Sequence, residues 1–387
     1  MKASKPNRRT FIKESVSTAA GIALFSGLPQ QTIAAHTPEP QAAFTILKPA
    51  ETSRIRFSAI GLNHGHIYGQ VEAVIRGGGQ LVSFYAREAD LVAAFTKRFP
   101  QAKLAQSEKE ILEDKSIQLV VSAAIPDERA PLGIRVMNNG KDYMVDKPGI
   151  TTLDQLAEVR QVQKKTGRIY SIMYSERLEN KATVKAGELV KEGAIGRVIQ
   201  TIGLGPHRIN LKSRPEWFFD RKRFGGIICD IGSHQFDQFL FFTGSTQAEV
   251  VSSQVGNVHY PQYPAFEDFG DVMLRGNKGA GYIRVDWFTP DGLNTWGDGR
   301  LTILGTDGYM EIRKNVDIAG REGGNHLFMV DKKTTQYIDC SQVNLSYGKQ
   351  LVDDIVNRTQ TAMSQEHCFL ATELALKAQK QAQMINI

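Results

Sequence analysis

Between residues 54 and 175 the chain alternates short β-like runs with helical stretches, and this alternation limits the fold more than any other feature of its 387 residues. Apolar, β-branched runs at 55–60, 81–85, 119–123, 143–145 and 169–174 are expected strands. Helices are expected at 67–76, 91–99, through Leu112, at 131–139 and at 153–164. Ser107 and Glu110 form a capping-box pattern at the third of these helices, and Gly77-Gly78-Gly79, Pro100 and Gly167 punctuate the series. Strands separated by helices of about 10–15 residues make right-handed crossovers and therefore a parallel, doubly wound sheet. In such sheets ligands bind outside the carboxyl ends of the strands, so those ends are where chemistry is sought.

The back half changes character. Strands are expected at 197–203, 248–258, 269–274, 280–288, 301–304 and 309–313, joined by glycine turns such as Gly276-Asn277-Lys278-Gly279, with helices at 351–357 and 369–383. The fold class is therefore α/β: an N-terminal doubly wound parallel sheet plus a C-terminal α+β domain with a large open, mainly antiparallel sheet. The expected boundaries are a leader at 1–35, a linker at 36–53 carrying Pro38, Pro40 and Pro49, a nucleotide-binding domain at 54–175 and a second domain at 176–387.

The leader has a basic start, an uncharged run from Ser15 to His36 and small residues at Ala34 and Ala35, the pattern of a secretory signal. Arg8-Arg9-Thr10-Phe11-Ile12-Lys13 resembles a twin-arginine export signal, which implies the twin-arginine machinery as a partner and a periplasmic or secreted location. The apolar run is shorter than the roughly 20 residues of a membrane span, so no stable membrane insertion is expected after cleavage. The net charge of +6 hints at nucleic acid, but removing residues 1–35 leaves 42 basic and 40 acidic residues, a net +2, and that reading lapses. Three cysteines without a CxxC pair exclude a disulfide scaffold, and Cys229 reads as a small buried thiol.

Three segments carry candidate chemistry. At the end of the first strand stands Gly61-Leu62-Asn63-His64-Gly65-His66, where a dinucleotide fingerprint has GxGxxG. Gly61, Asn63, His64, Gly65 and His66 are the expected phosphate mouth, since backbone amides at a helix start receive anions. His64 and His66 are also candidate metal ligands, but no Cys or carboxylate accompanies them at zinc spacing, and no metal is expected. After the second strand Arg87 occupies the place where an NAD site puts a carboxylate. Either it pairs with a 2′-phosphate, favouring NADP over NAD, or it begins a solvated helix. The second segment, Asp146-Lys147-Pro148, follows a central strand: Lys147 points into the cleft or is a surface turn lysine, and Pro148 fixes the turn. The third segment holds Asp230 and His234 four residues apart, on one face if helical. They form either a base with its orienting carboxylate or a helix cap with a polar core neighbour.

Together these segments resemble the Gfo/Idh/MocA oxidoreductase family of glucose–fructose oxidoreductase and inositol dehydrogenases. Asp146-Lys147-Pro148 matches the family's E-K-P triplet with Asp for Glu, and Asp230, Gly232, His234 and Asp237 match its D-x-G-x-H-x-x-D segment. Gly193-Ala194-Ile195-Gly196 and Gly305-Thr306-Asp307-Gly308 resemble two further family turns. The resemblance implies a Rossmann domain holding NADP or NAD, a second domain whose sheet covers the nicotinamide on one face, and a homo-oligomer through the other. It also implies hydride transfer from a secondary alcohol of a sugar or polyol, with His234 as base, Lys147 steadying the developing alkoxide and Asp230 tuning both. Arg177, beside Glu176, and Arg208 lie near family positions that line the cleft, and Trp217, Trp287 and Trp296 are candidates to stack on a sugar ring. An exported enzyme of this kind is expected to hold its cofactor tightly. The alternatives are redox-neutral glycoside cleavage or epimerisation, and a non-catalytic carbohydrate-binding protein.

Overall fold

The computed structural model describes residues 53–385. The expected leader and all but the last residue of the expected linker lie outside the described residues. Among the described residues no helix is long and apolar enough to cross a membrane.

The first layer runs β1 (Ile55–Ile60), α1 (His66–Arg76), β2 (Gly79–Tyr85), α2 (Ala89–Arg98), β3 (Lys103–Leu104), α3 (Glu108–Glu113), β4 (Leu119–Ser122), α4 (Pro126–Asn138), β5 (Asp142–Val145), α5 (Leu153–Thr166) and β6 (Tyr170–Ile172). Its sheet has the order β3-β2-β1-β4-β5-β6 and every pairing is parallel. The order reverses between β1 and β4, which opens a crevice at their carboxyl ends. Phe57, Phe84, Val120, Val121, Met144 and Val145 are fully buried in it, as strands covered by helices on both faces require.

Two details depart from the sequence reading. β3 has only two exposed residues and no periodic signal. α4 begins at Pro126, not at 131, and contains Pro131. A proline inside a helix leaves the carbonyl four residues back without its donor. Here Gln155 Nε2 donates to Asp127 O at 3.1 Å and fills that role.

The chain then continues through α6 (Ser175–Leu178), α7 (Lys181–Lys191), β7 (Val198–Pro206), α8 (Arg221–Phe224), α9 (Ile227–Asp230), α10 (Ser233–Thr243), β8 (Ala248–Gly256), β9 (Phe269–Gly276), β10 (Ala280–Asp286), β11 (Arg300–Gly305), β12 (Gly308–Arg313), β13 (His326–Asp331), β14 (Thr335–Ile338), α11 (Tyr347–Asn357), α12 (Gln365–Gln381) and β15 (Gln383–Met384). The nine-stranded sheet has the order β14-β13-β12-β11-β7-β10-β9-β8-β15. It is antiparallel except at β7–β10 and β8–β15, so the mainly antiparallel expectation holds. α10 and α12 pack on one of its faces. Side chains alternate across the sheet: in β9, Val272 and Leu274 are buried while Met273 between them is 52% exposed.

Candidate active site

The first strand ends at Gly61, whose φ of +77° favours glycine, and a Cβ added there would sit 2.5 Å from Ala124 Cβ. The backbone is stitched to both neighbouring strands, Gly61 N to Tyr85 O at 3.0 Å and Ala123 N to Gly61 O at 3.1 Å. This fixes the mouth of the crevice. α1 then starts behind Gly65, which offers no side-chain cap; His66 N donates to His64 Nδ1 at 3.3 Å, and no acidic residue stands in the first turn to offset the positive end of the helix. That end fits a dinucleotide's phosphates. Asn63, in the place of the second glycine, donates through Nδ2 to Glu88 Oε1 at 2.7 Å. The carboxylate expected beside a ribose is therefore present three residues past the strand end and one after Arg87, bonded to the mouth itself. Arg87 is exposed, and its backbone amide bonds Glu88 Oε2 at 3.1 Å.

β5 delivers Asp146, Lys147 and Pro148 to the same crevice. Asp146 is buried: its Oδ1 accepts from Lys147 N at 2.8 Å and faces His66 Nδ1 at 2.9 Å, and its Oδ2 takes Arg129 at 3.1 Å and lies 3.2 Å from His64 Nδ1. Burial pushes its pKa up, but His66, Arg129 and His64 outweigh that and hold it well below the usual carboxylate range. Arg129, itself buried, also donates to the carbonyls of Ala124, Lys147 and Pro148 and so locks this turn. Lys147 Nζ reaches Asp230 Oδ1 at 3.0 Å with both side chains largely shielded from water. Burial raises the Asp230 pKa, and the Lys147 charge and hydrogen bond more than reverse it, leaving it lowered.

Asp230 closes α9, whose first amides are held by side chains: Glu267 Oε2 takes Ile227 N at 3.0 Å and Gln379 Oε1 takes Ile228 N at 2.9 Å. Asp230 and His234 would share one face of a continuous helix, but the segment is kinked between them. Gly232 N bonds Ile227 O at 3.4 Å, five residues back, and its Cα packs so tightly on Ile228 O that a Cβ would come to 2.4 Å. His234 lies beyond the kink, 2% exposed, edge-on to Tyr174 with ring centroids 6.4 Å apart. Its Nδ1 is buried with no hydrogen-bond partner among the described residues. Burial lowers its pKa to about 4, and the Lys147 charge acts in the same direction, so the ring is neutral at neutral pH. Asp237 is engaged elsewhere, by Arg177 Nε at 2.6 Å and Nη2 at 2.8 Å and by His367 at 2.8 Å. Arg177 is thus held within the fold, stacked on Phe241 with 4.6 Å to the ring centroid, and Glu176 pairs with Lys314.

A cavity of about 340 Å³ opens over these groups. Lys147, Asp230, His64 and His66 line one side, and His207, Arg208, Trp217, Trp287 and Trp296 the other; His234 and Arg177 are not among the lining residues. Arg208 donates to Pro290 O at 2.8 Å and to Leu293 O, which ties its guanidinium to the 290–293 loop. His207 is the residue the sequence reading missed. It follows β7, sits 4.6 Å from Trp296 and 5.5 Å from Trp287 between ring centroids, and its Nδ1 lies 3.2 Å from Gly205 O. A carbonyl only accepts, so Nδ1 carries the proton and Nε2 keeps a lone pair. Burial lowers its pKa to about 3, with Lys147 adding to the shift. Its place just past the end of β7 was the one local signal; that this strand end borders the cavity is set by the fold.

This fold and site define an oxidoreductase with an NAD-binding Rossmann fold: residues 55–174 match that family profile, and residues 183–311 match the GFO/IDH/MocA C-terminal domain. The chain belongs to the GFO/IDH/MocA oxidoreductase family. A solved protein from Erwinia carotovora atroseptica is 47% identical, with a TM-score of 0.84 over 86% of this chain and all of the other. The scyllo-inositol 2-dehydrogenase (NAD(+)) of Bacillus subtilis is 25% identical over 60% of this chain and 67% of its own. The levoglucosan dehydrogenase of Pseudarthrobacter phenanthrenivorans is 24% identical over 51% of each. A levoglucosan dehydrogenase solved with NADH and levoglucosan has a TM-score of 0.69 at 16% identity, covering 84% of this chain and 95% of the other.

Proposed function

We propose that this oxidoreductase transfers hydride between a secondary alcohol of a sugar or polyol and a tightly held nicotinamide cofactor. The observation that carries the reading is the Lys147–Asp230 pair, 3.0 Å apart and buried at the base of an aromatic-walled cavity at the sheet's switch point. The Gly61–His66 turn and the open start of α1 would hold the dinucleotide, with Glu88 or Arg87 at its ribose. Bound there, the nicotinamide supplies the site that accepts or returns hydride. Lys147 steadies negative charge at the carbinol oxygen, and Asp230, 3.0 Å away, aims the amine. Trp217, Trp287 and Trp296 offer flat apolar faces to a sugar ring, with Arg208 at the rim.

The family resemblance supports His234 as the proton acceptor, neutral at neutral pH, although it is not among the residues lining the cavity. A second reading rests on His207, whose Nδ1 bond to Gly205 leaves Nε2 as a lone pair in a residue that lines the cavity. Steady-state assays with polyols and pyranoses on Lys147→Ala, His234→Ala and His207→Ala separate these roles. Loss of about 100-fold or more in kcat is expected for Lys147→Ala and for whichever imidazole is the acceptor. Full activity of Lys147→Ala overturns the reading. Redox-neutral chemistry on the same site is distinguished by substrate turnover without net change in nicotinamide absorbance, and a non-catalytic sugar binder by binding with no turnover.

The Arg8-Arg9 leader supports export by the twin-arginine route. The exposed Val251, Met273, Leu304 and Tyr309 on the second sheet support a homo-oligomer through that face. Fractionation of cells expressing the full chain with Arg8 and Arg9 both changed to Lys, and light scattering of the purified protein, test these two points.

A further inference from the structure

We propose that His64, His66 and Asp146 form a divalent-cation site of zinc type at the mouth of the cleft, with an open coordination position toward the cavity. The sequence offered two histidines and no acidic partner at metal spacing; folding supplies one from 80 residues away. His64 Nδ1 and His66 Nδ1 face different oxygens of the same carboxylate, at 3.2 and 2.9 Å, and the three donor atoms lie within 4.8 Å of one another. Donors about 2.0–2.2 Å from a tetrahedral ion are separated by a little over 3 Å, so each imidazole already stands at that distance from the carboxylate, and a small turn of the side chains brings all three donors onto one ion.

The donor set fits the ion. Two borderline imidazoles with one carboxylate oxygen are a donor set zinc accepts, and three protein ligands with a free fourth position are the pattern of open zinc sites. Asp146 is held from outside by Arg129 and by the backbone amide of Lys147, which orient it as outer contacts orient metal ligands. Arg129 shares the carboxylate with an incoming ion and tempers its affinity. Both histidines line the cavity that holds Lys147 and Asp230, so the open position faces whatever oxygen-bearing ligand enters. The inference does not rest on the hydride-transfer reading, because the three donors are in place whatever the reaction.

The test uses the full chain freed of metal with a chelator. Zn²⁺ is titrated in competition with a chromophoric chelator, and Co²⁺ uptake is followed by its visible absorption. One equivalent is expected, and Zn²⁺ should raise the Tm of the unaltered protein. His64→Ala and His66→Gln should each weaken binding about 10-fold or more and remove the Tm rise, while His259→Ala should change neither. His66 is 42% exposed at its side chain, so His66→Gln tests the site without disturbing the core. Failure of the unaltered protein to take up either ion, or unchanged uptake after both histidines are replaced, overturns the proposal. Titration of the same metal-free protein with NADH reports on the dinucleotide site separately.

Discussion

Lys147 Nζ and Asp230 Oδ1 lie 3.0 Å apart, joining the end of a strand in the first sheet to a short helix 83 residues later. The pair makes one lobe's cation depend on the other lobe's anion in a place that water hardly reaches.

Asp230→Asn should therefore strand the amine. A loss of about 3–5 kcal/mol is expected, as for removal of one partner of a buried pair, with a large fall in kcat. Because the folded-state pKa of Asp230 is lowered, its contribution is present above the unfolded carboxylate range and is lost as pH falls through the lowered value. Urea denaturation of both proteins across acid pH should show the variant flatter there.

His234 and His207 titrate in the opposite chemical sense but give the same slope. Their pKa values are depressed to about 4 and about 3, so the unfolded chain binds more protons than the fold below about pH 6.5. Stability should fall as pH drops from about 6.5 toward 4, with His234 accounting for something on the order of 3 kcal/mol. His234→Gln should reduce that slope, measured by Tm against pH. An unchanged slope would refute the assignment.

Arg177 and Asp237 should matter to stability and not to substrate. Asp237→Asn leaves a buried guanidinium with half its partner, and a loss of about 3 kcal/mol with unchanged KM is expected. A raised KM at unchanged Tm would instead return Arg177 to the substrate site.

Trp296, 46% exposed at the cavity rim against His207, should act in binding alone. Trp296→Ala is expected to raise KM for a sugar about 5-fold and leave kcat within about 2-fold, consistent with one lost aromatic contact.

Gly61→Ala places a Cβ at φ +77° against Ala124. A destabilisation of about 2 kcal/mol and a clear fall in NADH affinity are expected, read by thermal melting and fluorescence titration.

The parallel layer was legible because burial on both faces writes itself as contiguous apolar runs: the reading of 55–60 coincides with β1, and 119–123 overshoots β4 by one residue. β3 escaped notice because two residues make no period. α4 was begun too late because Pro131 normally ends a helix, and nothing local announces that Gln155 will serve the carbonyl of Asp127. Lys147, Asp230 and His234 stood out by spacing, but spacing is blind to the kink at Gly232, which sends Asp230 to the cavity and His234 behind it. His207 and the approach of Asp146 to His64 and His66 are long-range facts. No window of sequence holds them.

The Lys147–Asp230 bridge also bears on how ligands come and go. Parting the two lobes at that point would expose two unpaired charges in an apolar setting, at a cost of several kcal/mol. Ligand exchange is therefore expected past the exposed Trp296 at the outer lip, with the Lys147–Asp230 contact kept closed.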